Sequence, residues 1–265
     1  MKVLVYINNE KDKKGQFRSL ITQLLNNCGI EFNFIHDEDF ENDVSADALF
    51  VYGGDGTILD IVHYSYKTNT PILAINSGRL GFLAEFEENE IELAINLLLE
   101  NKLIRDERLG FKTTIGGKTY VGLNELIVRK IFMQTDDKIV YLNIEVDDKT
   151  ISKIKGDGIL ISTPTGSTAY ALSVGNCILS PELDNFAIYP LAPHSIDKYC
   201  YIISSNKKCS VQIERDRPAG VFIDGEFISM LNKDEKITVS KLESKIIFLR
   251  KQNFDFYEKL KKVSN

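Results

Sequence analysis

The segment Gly53-Gly54-Asp55-Gly56-Thr57 has the composition of a phosphate-binding turn that also carries a carboxylate. It follows an apolar strand, Ala48 to Tyr52, and precedes a helical pattern that begins at Ile58. A glycine-rich strand-to-helix turn lets backbone N–H groups converge on phosphate at the positive end of the helix. The carboxylate of Asp55 in such a turn indicates that a proton, a hydroxyl group or a metal ion is handled there. A tight turn capped by Asp or Thr is the common alternative when such a segment stands alone.

A second segment, residues 156–175, is rich in hydroxyl groups. A buried strand leads here into a polar turn, and a short helix is predicted to begin near Ser167. The hydroxyls cluster around Pro164 and Gly166, and they belong to Thr163, Thr165, Ser167, Thr168 and Ser173. Tyr170 offers a flat apolar face with one polar end, which suits stacking on a ring. The segment could therefore hold a nucleotide, although each hydroxyl taken singly is explained equally well as a local cap.

Composition narrows the class of protein. The 265 residues are 43% hydrophobic and 26% charged, as in ordinary globular proteins, and suffice for one large domain or two modest ones. A net charge of -6 argues against nucleic acid as the main partner, because phosphate contacts need a basic face. It leaves room for a small anionic ligand in a local pocket.

Neither a membrane segment nor a metal motif is apparent in the sequence. The longest N-terminal apolar run, Val3 to Ile7, is too short for a signal peptide or a membrane span. The cysteines and histidines lack metal-ligand spacing; they are Cys28, Cys177, Cys200, Cys209, His36, His63 and His194. We therefore expect a cytoplasmic protein with no metal site formed by its own side chains.

The elements that position the first segment alternate between strand and helix. Strands are predicted at 3–7, 32–35, 48–52 and 71–75, helices at 17–28, after Thr57 and around 91–98, and an exposed acidic loop at 36–47. Strands separated by helices pair in parallel through right-handed crossovers, so an open α/β sheet with flanking helices is predicted. The glycine turn would then lie at the carboxyl end of a strand, where such sheets bind ligands.

A β-rich region follows. Strands are predicted at 111–115, 118–121, 125–129, 138–146, 150–154, 159–162, 199–203, 209–213, 221–223 and 236–239, with turns at 116–117, 147–148 and 156–158. We expect two packed sheets, as in a β-sandwich. The predicted domains are residues 1–104 and 105–245, with the amphipathic tail 246–265 returning to pack on the first domain.

Six segments in this order resemble the NAD kinase family over nearly the whole chain. They are GGDGT at 53–57, NSGRLGFL at 76–83, Asn124-Glu125, residues 156–173, APHS at 192–195 and Asp224-Gly225-Glu226. GGDGT alone is shared with lipid kinases and phosphofructokinases, whereas the ordered set is specific. A lipid or sugar kinase remains the nearest alternative, and residues 163–170 argue against it. The second alternative is a non-catalytic sensor of NAD or NADP. The retention of Asp55, Asn124 and Glu125 argues against a sensor.

The resemblance implies transfer of the terminal phosphoryl group of ATP, or of polyphosphate, to the 2′-hydroxyl of the adenosine ribose of NAD. NADP is the product, and Mg²⁺ or another divalent cation would share the phosphate charge. Asp55 is the implied catalytic residue, orienting the hydroxyl and accepting its proton. Gly53, Gly54, Gly56 and Thr57 are implied to bind the phosphoryl donor. A side chain at Gly56 is expected to clash with ligand and to strain the turn.

The same resemblance implies a set of NAD-binding residues. They are Asp55, Gly56, Asn124, Glu125, Lys155, Asp157, Thr165, Thr168, Ala169, Tyr170, Ser173, Ala192 and Glu226. Glu125 would bind ribose hydroxyls, although it could instead cap a strand end, and its burial without a partner would be costly. Tyr170 would lie near the nicotinamide half, and Ala192 would contribute a backbone contact.

The resemblance also implies self-association, and we expect a homotetramer with sites at subunit interfaces. Asp157 corresponds to a residue that reaches NAD on a neighbouring subunit, although Gly156-Asp157-Gly158 alone would be a good hairpin turn. The chain departs from the family pattern at Asn176-Cys177 and Ser180-Pro181, where glycine-proline and histidine-proline pairs are usual. Glu226 also stands where the family has glutamine, which would make any contact there charged.

Overall fold

The computed structural model describes residues 1–78, 81–131, 139–175, 177–194 and 198–264. Four positions of the family segments (Arg79, Leu80, Asn176 and Ser195) and Lys138 of a predicted strand lie outside the described residues. The chain divides into two units, Met1–Arg108 with Ser244–Asn265, and Leu109–Glu243.

The first unit begins with the predicted alternation of strands and helices. Its elements are β1 (Lys2–Ile7), α1 (Gln16–Asn27), β2 (Glu31–Ile35), β3 (Ala48–Gly53), α2 (Asp55–Thr68), β4 (Ile72–Asn76), β5 (Phe86–Glu87), α3 (Ile91–Leu99) and β6 (Ile104–Arg108). Short 3₁₀ helices span Asp37–Glu41 and Glu88–Glu90. The first of these occupies part of the segment predicted to be a loop, where the Asp39 carboxylate accepts the His36 backbone N–H at 2.9 Å and closes the turn.

Strands make up nearly all the regular elements of the second unit. Its elements are β7 (Phe111–Ile115), β8 (Lys118–Gly122), β9 (Glu125–Arg129), β10 (Val140–Val146), β11 (Lys149–Gly156), β12 (Gly158–Ser162), α4 (Tyr170–Gly175), β13 (Asn185–Leu191), β14 (Tyr201–Ser204), β15 (Cys209–Ile213), β16 (Ala219–Ile223), β17 (Glu226–Leu231) and β18 (Lys236–Lys241). A 3₁₀ helix at Thr165–Thr168 precedes α4. The tail then adds β19 (Ile246–Arg250) and α5 (Phe256–Ser264) to the first unit.

The sheet of the first unit has the strand order β2-β1-β3-β4-β19-β6, and β5 pairs with β4. Every pairing in it is parallel except that of β19 with β6, so the predicted parallel sheet carries one antiparallel edge strand. Its core includes Val5, Phe50 and Leu73 from the strands and Phe17 and Ile21 from α1. The α/β prediction and the return of the tail to this domain are confirmed.

The strand order of this sheet reverses between β1 and β3. From β1 the chain moves to β2 on one side, and then to β3 and β4 on the other. Open α/β sheets bind ligands in the crevice at such a switch point, at the carboxyl ends of the strands. The GGDGT segment begins with Gly53, the last residue of β3, at this edge.

Two six-stranded antiparallel sheets form the second unit, as predicted. Their orders are β11-β10-β15-β18-β7-β8 and β14-β13-β12-β9-β16-β17. The sheets share a core to which Leu126, Ile161 and Phe186 contribute from one sheet and Leu142 and Val211 from the other. Residues 156–158 connect β11 to β12 in the other sheet, so the predicted hairpin turn is wrong and the segment is a crossover between sheets.

Within the described ranges, none of the helices combines the length and the apolar character needed to span a bilayer.

Candidate active site

The GGDGT segment runs from the last residue of β3 into the first turn of α2, with only the N-cap residue between the strand and the helix. Gly54 is the N-cap, and Asp55 is the first helical residue. The sequence predicted a start at Ile58, because apolar periodicity begins only there. An acidic side chain in the first turn is stabilised by the positive end of the helix, which favours Asp55 at this position.

Both carboxylate oxygens of Asp55 accept backbone hydrogen bonds. Oδ2 accepts the N–H of Phe82 at 2.8 Å, and Oδ1 accepts the N–H of Leu83 at 3.1 Å. Phe82 and Leu83 lie on the connection from β4 to β5. The two bonds fix the orientation of the carboxylate, and each oxygen retains a second lone pair for a ligand.

The glycines of this region serve two different purposes. A Cβ on Gly53 would lie 2.5 Å from Thr57 Cβ, and one on Gly81 would lie 2.5 Å from Asp55 Cγ, so both positions require glycine for close approach. A Cβ on Gly54 or Gly56 would meet nothing within 4 Å. Gly56 has helical backbone, so the predicted strain there is wrong; what remains in front of the turn is open space.

Thr57 links the turn to the neighbouring strand end. Its Oγ1 accepts a hydrogen bond from Nδ2 of Asn8 at 2.8 Å, and Asn8 immediately follows β1. On the other side, the Ser77 N–H donates to Gly53 O at 3.1 Å. The turn is therefore bonded to the segments that follow β1 and β4.

In the second unit, Asp224 organises the Asn124-Glu125 motif. Its carboxylate accepts three successive backbone N–H groups, those of Leu123 at 2.7 Å, Asn124 at 2.8 Å and Glu125 at 3.0 Å. Asp224 and Gly225 form the two-residue turn between β16 and β17, with φ of 48° and 92°. Asp224 was not among the site residues predicted from the sequence, although its Asp-Gly dipeptide is a hairpin signal.

Glu125 carries a buried carboxyl group that the described residues leave incompletely bonded. The residue is 5% exposed, and its Oε2 has no hydrogen-bond partner among them. Burial, and secondarily the charge of Asp224, raise the pKa of Glu125 to about 8. Burial also raises the pKa of Asp224 to about 6, against the three N–H groups that favour its charged form. Glu125 is thus buried without a full set of partners, which is costly in free energy. Its unpartnered Oε2 could bind a hydroxyl group of a ligand.

The hydroxyl-rich segment packs directly on this motif. Thr163 donates its N–H to Asn124 O at 2.9 Å and its hydroxyl to Leu123 O at 2.6 Å. A Cβ on Gly166 would lie 2.6 Å from the carbonyl carbon of Asn124, so glycine is required there. Strand pairing places Ser162 opposite Glu125. Two motifs that are distant in sequence are therefore joined in one structure.

The hydroxyls of this segment differ in their partners. Ser167 Oγ donates to Pro164 O at 2.6 Å and accepts the Leu179 N–H at 3.0 Å, so it is fully structural. Thr168 Oγ1 donates to Thr165 O at 3.1 Å. The buried Oγ1 of Thr165 has no partner among the described residues, which leaves it available to a ligand.

Four predicted NAD-binding residues line one cavity of about 450 Å³ in the second unit: Asp157, Tyr170, Ser173 and Ala192. Three cationic residues that were not among the predicted site residues line it too: Arg129, Lys130 and Lys198. Lys130 Nζ lies 2.9 Å from Asp157 Oδ1. The cavity therefore combines positive charge with the exposed ring of Tyr170, as a phosphate-bearing ligand with a flat ring requires.

Ala192 adopts a strained backbone at the edge of this cavity, with φ of 40°. Neighbouring hydrogen bonds hold the loop, since Leu191 O accepts the Asp157 N–H at 2.9 Å and Lys155 O accepts the His194 N–H at 2.7 Å. A Cβ on Gly156 would lie 2.8 Å from Ala192 O, so the loop and the crossover between sheets fit only with glycine there.

Models of one protein family match most of the chain. The family models for the ATP-NAD kinase N-terminal and C-terminal domains match residues 5–103 and 123–251. The NAD kinase of Caldicellulosiruptor bescii is 32% identical to this chain, and the match covers 96% of each chain. The NAD kinase of Fusobacterium nucleatum is also 32% identical, and the match covers 97% of this chain and 94% of that relative. The chain belongs to the NAD kinase family. A solved NAD kinase from Archaeoglobus fulgidus in complex with ATP has a TM-score of 0.80 and 26% identity, and the match covers 100% of this chain and 99% of that one.

Members of the NAD kinase family are phosphotransferases, which fits a carboxylate held at the glycine-rich N-terminus of a helix. Seven residues of the second unit that were assigned from the family pattern do not line this cavity: Asn124, Glu125, Lys155, Thr165, Thr168, Ala169 and Glu226. Lys155 is exposed, and its Nζ lies 5.8 Å from the ring centroid of Tyr141, over which the Arg215 guanidinium also lies at 3.8 Å. Glu226 is exposed at the start of β17. Their predicted contacts with NAD remain predictions.

Within the described ranges, no group of three or more His, Cys, Asp or Glu side chains is arranged to hold a metal ion.

Proposed function

We propose that this chain transfers the terminal phosphoryl group of ATP to the 2′-hydroxyl of the adenosine ribose of NAD, forming NADP. The observation that carries the proposal is the carboxylate of Asp55, held by two backbone N–H groups on the first turn of α2 at the switch point of the sheet. A fixed and partly exposed carboxylate at a glycine-rich helix N-terminus is suited to accept a proton from a hydroxyl nucleophile beside a phosphoryl group.

The donor would bind at the N-terminus of α2. The first N–H groups of a helix have no intrahelical acceptor, and they point along the positive end of the helix dipole. Gly54 and Gly56 leave open space before them, so phosphate oxygens can approach the backbone. We propose ATP as the donor, in its Mg²⁺ complex, with polyphosphate as the alternative. Mg²⁺ commonly keeps water and substrate phosphates as ligands, so it needs no cage of protein side chains.

The acceptor would be bound by residues of the second unit. Glu125 Oε2 is the buried, unpartnered acceptor for a ribose hydroxyl, and Asn124 lies beside it in the frame formed by Asp224. Thr165 Oγ1 offers a second unpartnered group. In the cavity, Arg129, Lys130 and Lys198 would attract the pyrophosphate, while Tyr170 would stack near the nicotinamide half. Thr168, Ala169, Ser173 and the backbone of Ala192 complete the proposed site, with Lys155 and Glu226 as outer contacts.

The chemical step is a direct displacement. The ribose 2′-oxygen forms a bond to the terminal phosphorus of ATP while the bond from that phosphorus to the bridging oxygen breaks. The bridging oxygen leaves as part of ADP. The hydroxyl proton passes to a free lone pair on the carboxylate of Asp55. General-base assistance of this kind is typically worth about 10² to 10⁴ in rate.

We also propose that the enzyme acts as a homotetramer in the cytoplasm, with Asp157 reaching NAD on a neighbouring subunit. Exposed apolar side chains of the second unit support association, with Tyr199 67%, Ile202 56% and Phe227 49% exposed. Light scattering after size-exclusion chromatography tests the assembly directly. A monomer at assay concentration would contradict it.

The decisive assay incubates the purified protein with NAD, ATP and Mg²⁺ and detects NADP with an NADP-specific dehydrogenase. NADP should form in the wild type, and Asp55→Asn should lower turnover by about 10² or more while NAD still binds. Since Asn offers only one acceptor oxygen to the two N–H groups, unfolding temperatures are measured alongside. Formation of NADP with polyphosphate but not with ATP would identify polyphosphate as the phosphoryl donor. Tight NADP binding without turnover on either donor would favour a sensor.

A further inference from the structure

The connection that orients Asp55 is itself held by two buried cations of the C-terminal tail. Leu83, whose N–H donates to Asp55, accepts at its carbonyl a hydrogen bond of 2.5 Å from Nη1 of Arg250. The next carbonyl, that of Ala84, accepts from Nζ of Lys259. Arg250 lies in β19 and Lys259 in α5. The tail therefore contacts the same short segment that fixes the carboxylate.

These cations belong to a buried network with a defined geometry. The Arg250 side chain is 1% exposed, and its Nε donates to Asp106 Oδ2 at 2.9 Å. Its Nη1 lies 3.7 Å from Glu85, on the segment that follows Ala84. Asp106 also pairs with Arg108 at 2.6 Å. The pairing of β19 with both β4 and β6 brings these groups together.

Stability alone explains such a network poorly. Buried ion pairs lose about as much in desolvation as they gain in attraction, and apolar residues of similar size often stabilise a core better. Here both cations bind backbone carbonyls of residues 83 and 84, and this specifies where the segment lies. Backbone placement matters at this segment because the N–H groups of Phe82 and Leu83 hold the carboxylate of Asp55.

We propose that Arg250 and Lys259 are positioning residues of the phosphoryl-transfer site, which set the placement of the Asp55 carboxylate through residues 82–84. The proposal rests on the proposed function for its kinetic consequences, but its structural core does not depend on NAD or ATP. A displacement of about 1 Å in a catalytic group can cost about 10²-fold in rate, so a remote cation can control turnover without touching substrate.

Lys259 also gives the network a dependence on pH. Burial and the charge of Arg250 lower the pKa of Lys259 to about 8, and the charge of Arg108 in β6 also lowers it. The negative charges of Glu85 and Asp55 act in the opposite direction and raise this pKa. Lys259 also lines a cavity of about 530 Å³, together with Glu85, Lys251 and others. As the pH rises through about 8, Lys259 loses its charge, and its hold on Ala84 O weakens.

The test compares Lys259→Met with Lys261→Met, an exposed lysine of the same helix that pairs with Glu258. Hydrogen–deuterium exchange at the amides of Phe82 and Leu83 should accelerate in Lys259→Met and not in Lys261→Met. Turnover of Lys259→Met should fall about tenfold to a hundredfold, with KM for NAD and ATP within about twofold of wild type. Lys259→Arg, which remains charged, should recover much of the turnover and lack the wild-type decline in kcat above about pH 8.

Unchanged exchange at both amides in folded Lys259→Met would overturn the proposal, as would wild-type kcat. Lys259→Met could instead lower only the unfolding temperature and, below that temperature, show the same exchange and kcat as Lys261→Met. This result would assign Lys259 to stability alone. If the wild type makes no NADP from either donor, the proposed function fails. The exchange measurement then still decides whether the tail positions the Asp55 segment.

Discussion

The carboxylate of Asp55 occupies the space that a side chain on Gly81 would need. A Cβ on Gly81 would lie 2.5 Å from Asp55 Cγ, and the next two residues, Phe82 and Leu83, donate their N–H groups to that carboxylate. The connection after β4 thus approaches Asp55 with its backbone, and glycine permits the approach. The relationship explains why a glycine outside the GGDGT turn belongs to the same site.

Gly81→Ala should therefore displace the Asp55 carboxylate. The added methyl group can be accommodated only if the carboxylate moves, which breaks at least one of its two N–H hydrogen bonds. We expect a fall in kcat of about 10²-fold and a stability loss of roughly 1–3 kcal/mol. Steady-state kinetics and thermal unfolding measure the two effects. Wild-type kcat in Gly81→Ala would show that the carboxylate does not need its present orientation.

Gly56→Ala should behave in the opposite way. A Cβ there meets nothing within 4 Å, and alanine favours the helical backbone of the first turn of α2. The unfolding temperature should therefore stay the same or rise slightly. If phosphate approaches this turn, the methyl group will obstruct it, and KM for ATP should rise about tenfold or more. An unchanged KM for ATP would move the donor away from the N-terminus of α2.

Sequence patterns predict most of the fold because they are local. Apolar runs separated by helical patterns predicted β1 to β4, and the Gly116-Gly117 turn predicted the hairpin of β7 and β8. Both glycines have the positive φ of a two-residue hairpin turn. β13 was not predicted, because Pro190 lies within it and proline argues against an internal strand. The antiparallel β6 was not predicted, because its partner β19 follows it by more than a hundred residues.

The site is predictable only in part for the same reason. The motifs themselves are contiguous, so Asp55, Asn124, Glu125 and Thr165 could be named from the sequence. The residues that hold them are distant: Asp224 contacts Asn124 across 100 positions, and Lys259 contacts Ala84 across 175. These pairs meet only because strands that are distant in sequence lie side by side in the folded sheets. A single sequence contains no spacing rule that predicts such contacts.

Glu125→Gln should change how stability depends on pH. The ordinary pKa of 4.5 rises to about 8 in the folded protein, so the folded state binds more protons than the unfolded state between these values. Wild-type stability should therefore fall as the pH rises from about 4.5 to 8, and Glu125→Gln should lack this contribution. We expect the variant to be more stable by roughly 1–3 kcal/mol at pH 8. Denaturant unfolding at several pH values measures the difference.

The matched control for this experiment is Glu226→Gln, which alters an exposed carboxylate in the same unit. It should follow the wild-type profile. The same variants test binding: Glu125→Gln should weaken NAD by about tenfold through loss of the hydrogen bond between the Glu125 carboxyl group and a ribose hydroxyl. Parallel stability profiles for wild type and Glu125→Gln would mean that Glu125 is charged in the folded protein at neutral pH.

Asp224→Asn should loosen the frame around Asn124. Three backbone N–H groups share the Asp224 carboxylate, and an amide offers them a single oxygen and an N–H₂ group that repels them. We expect a stability loss of roughly 1–3 kcal/mol and a KM for NAD that rises more than kcat falls. Asp234→Asn is the control, because Asp234 also has positive φ, 67°, in a turn but is exposed. Equal effects of the two substitutions would remove the special role of Asp224.

Ala192→Gly should relieve strain without loss of NAD affinity. Alanine at φ of 40° carries a left-handed penalty of roughly 1–2 kcal/mol, which exceeds the extra unfolded-state entropy that glycine introduces. The unfolding temperature should therefore hold or rise, whereas Ala187→Gly in the buried part of β13 should lower it. NAD affinity, measured by calorimetry, should be unchanged, because the proposed contact at Ala192 is made by the backbone. A large loss of affinity in a stable Ala192→Gly protein would mean that the strained conformation, or the methyl group itself, takes part in binding.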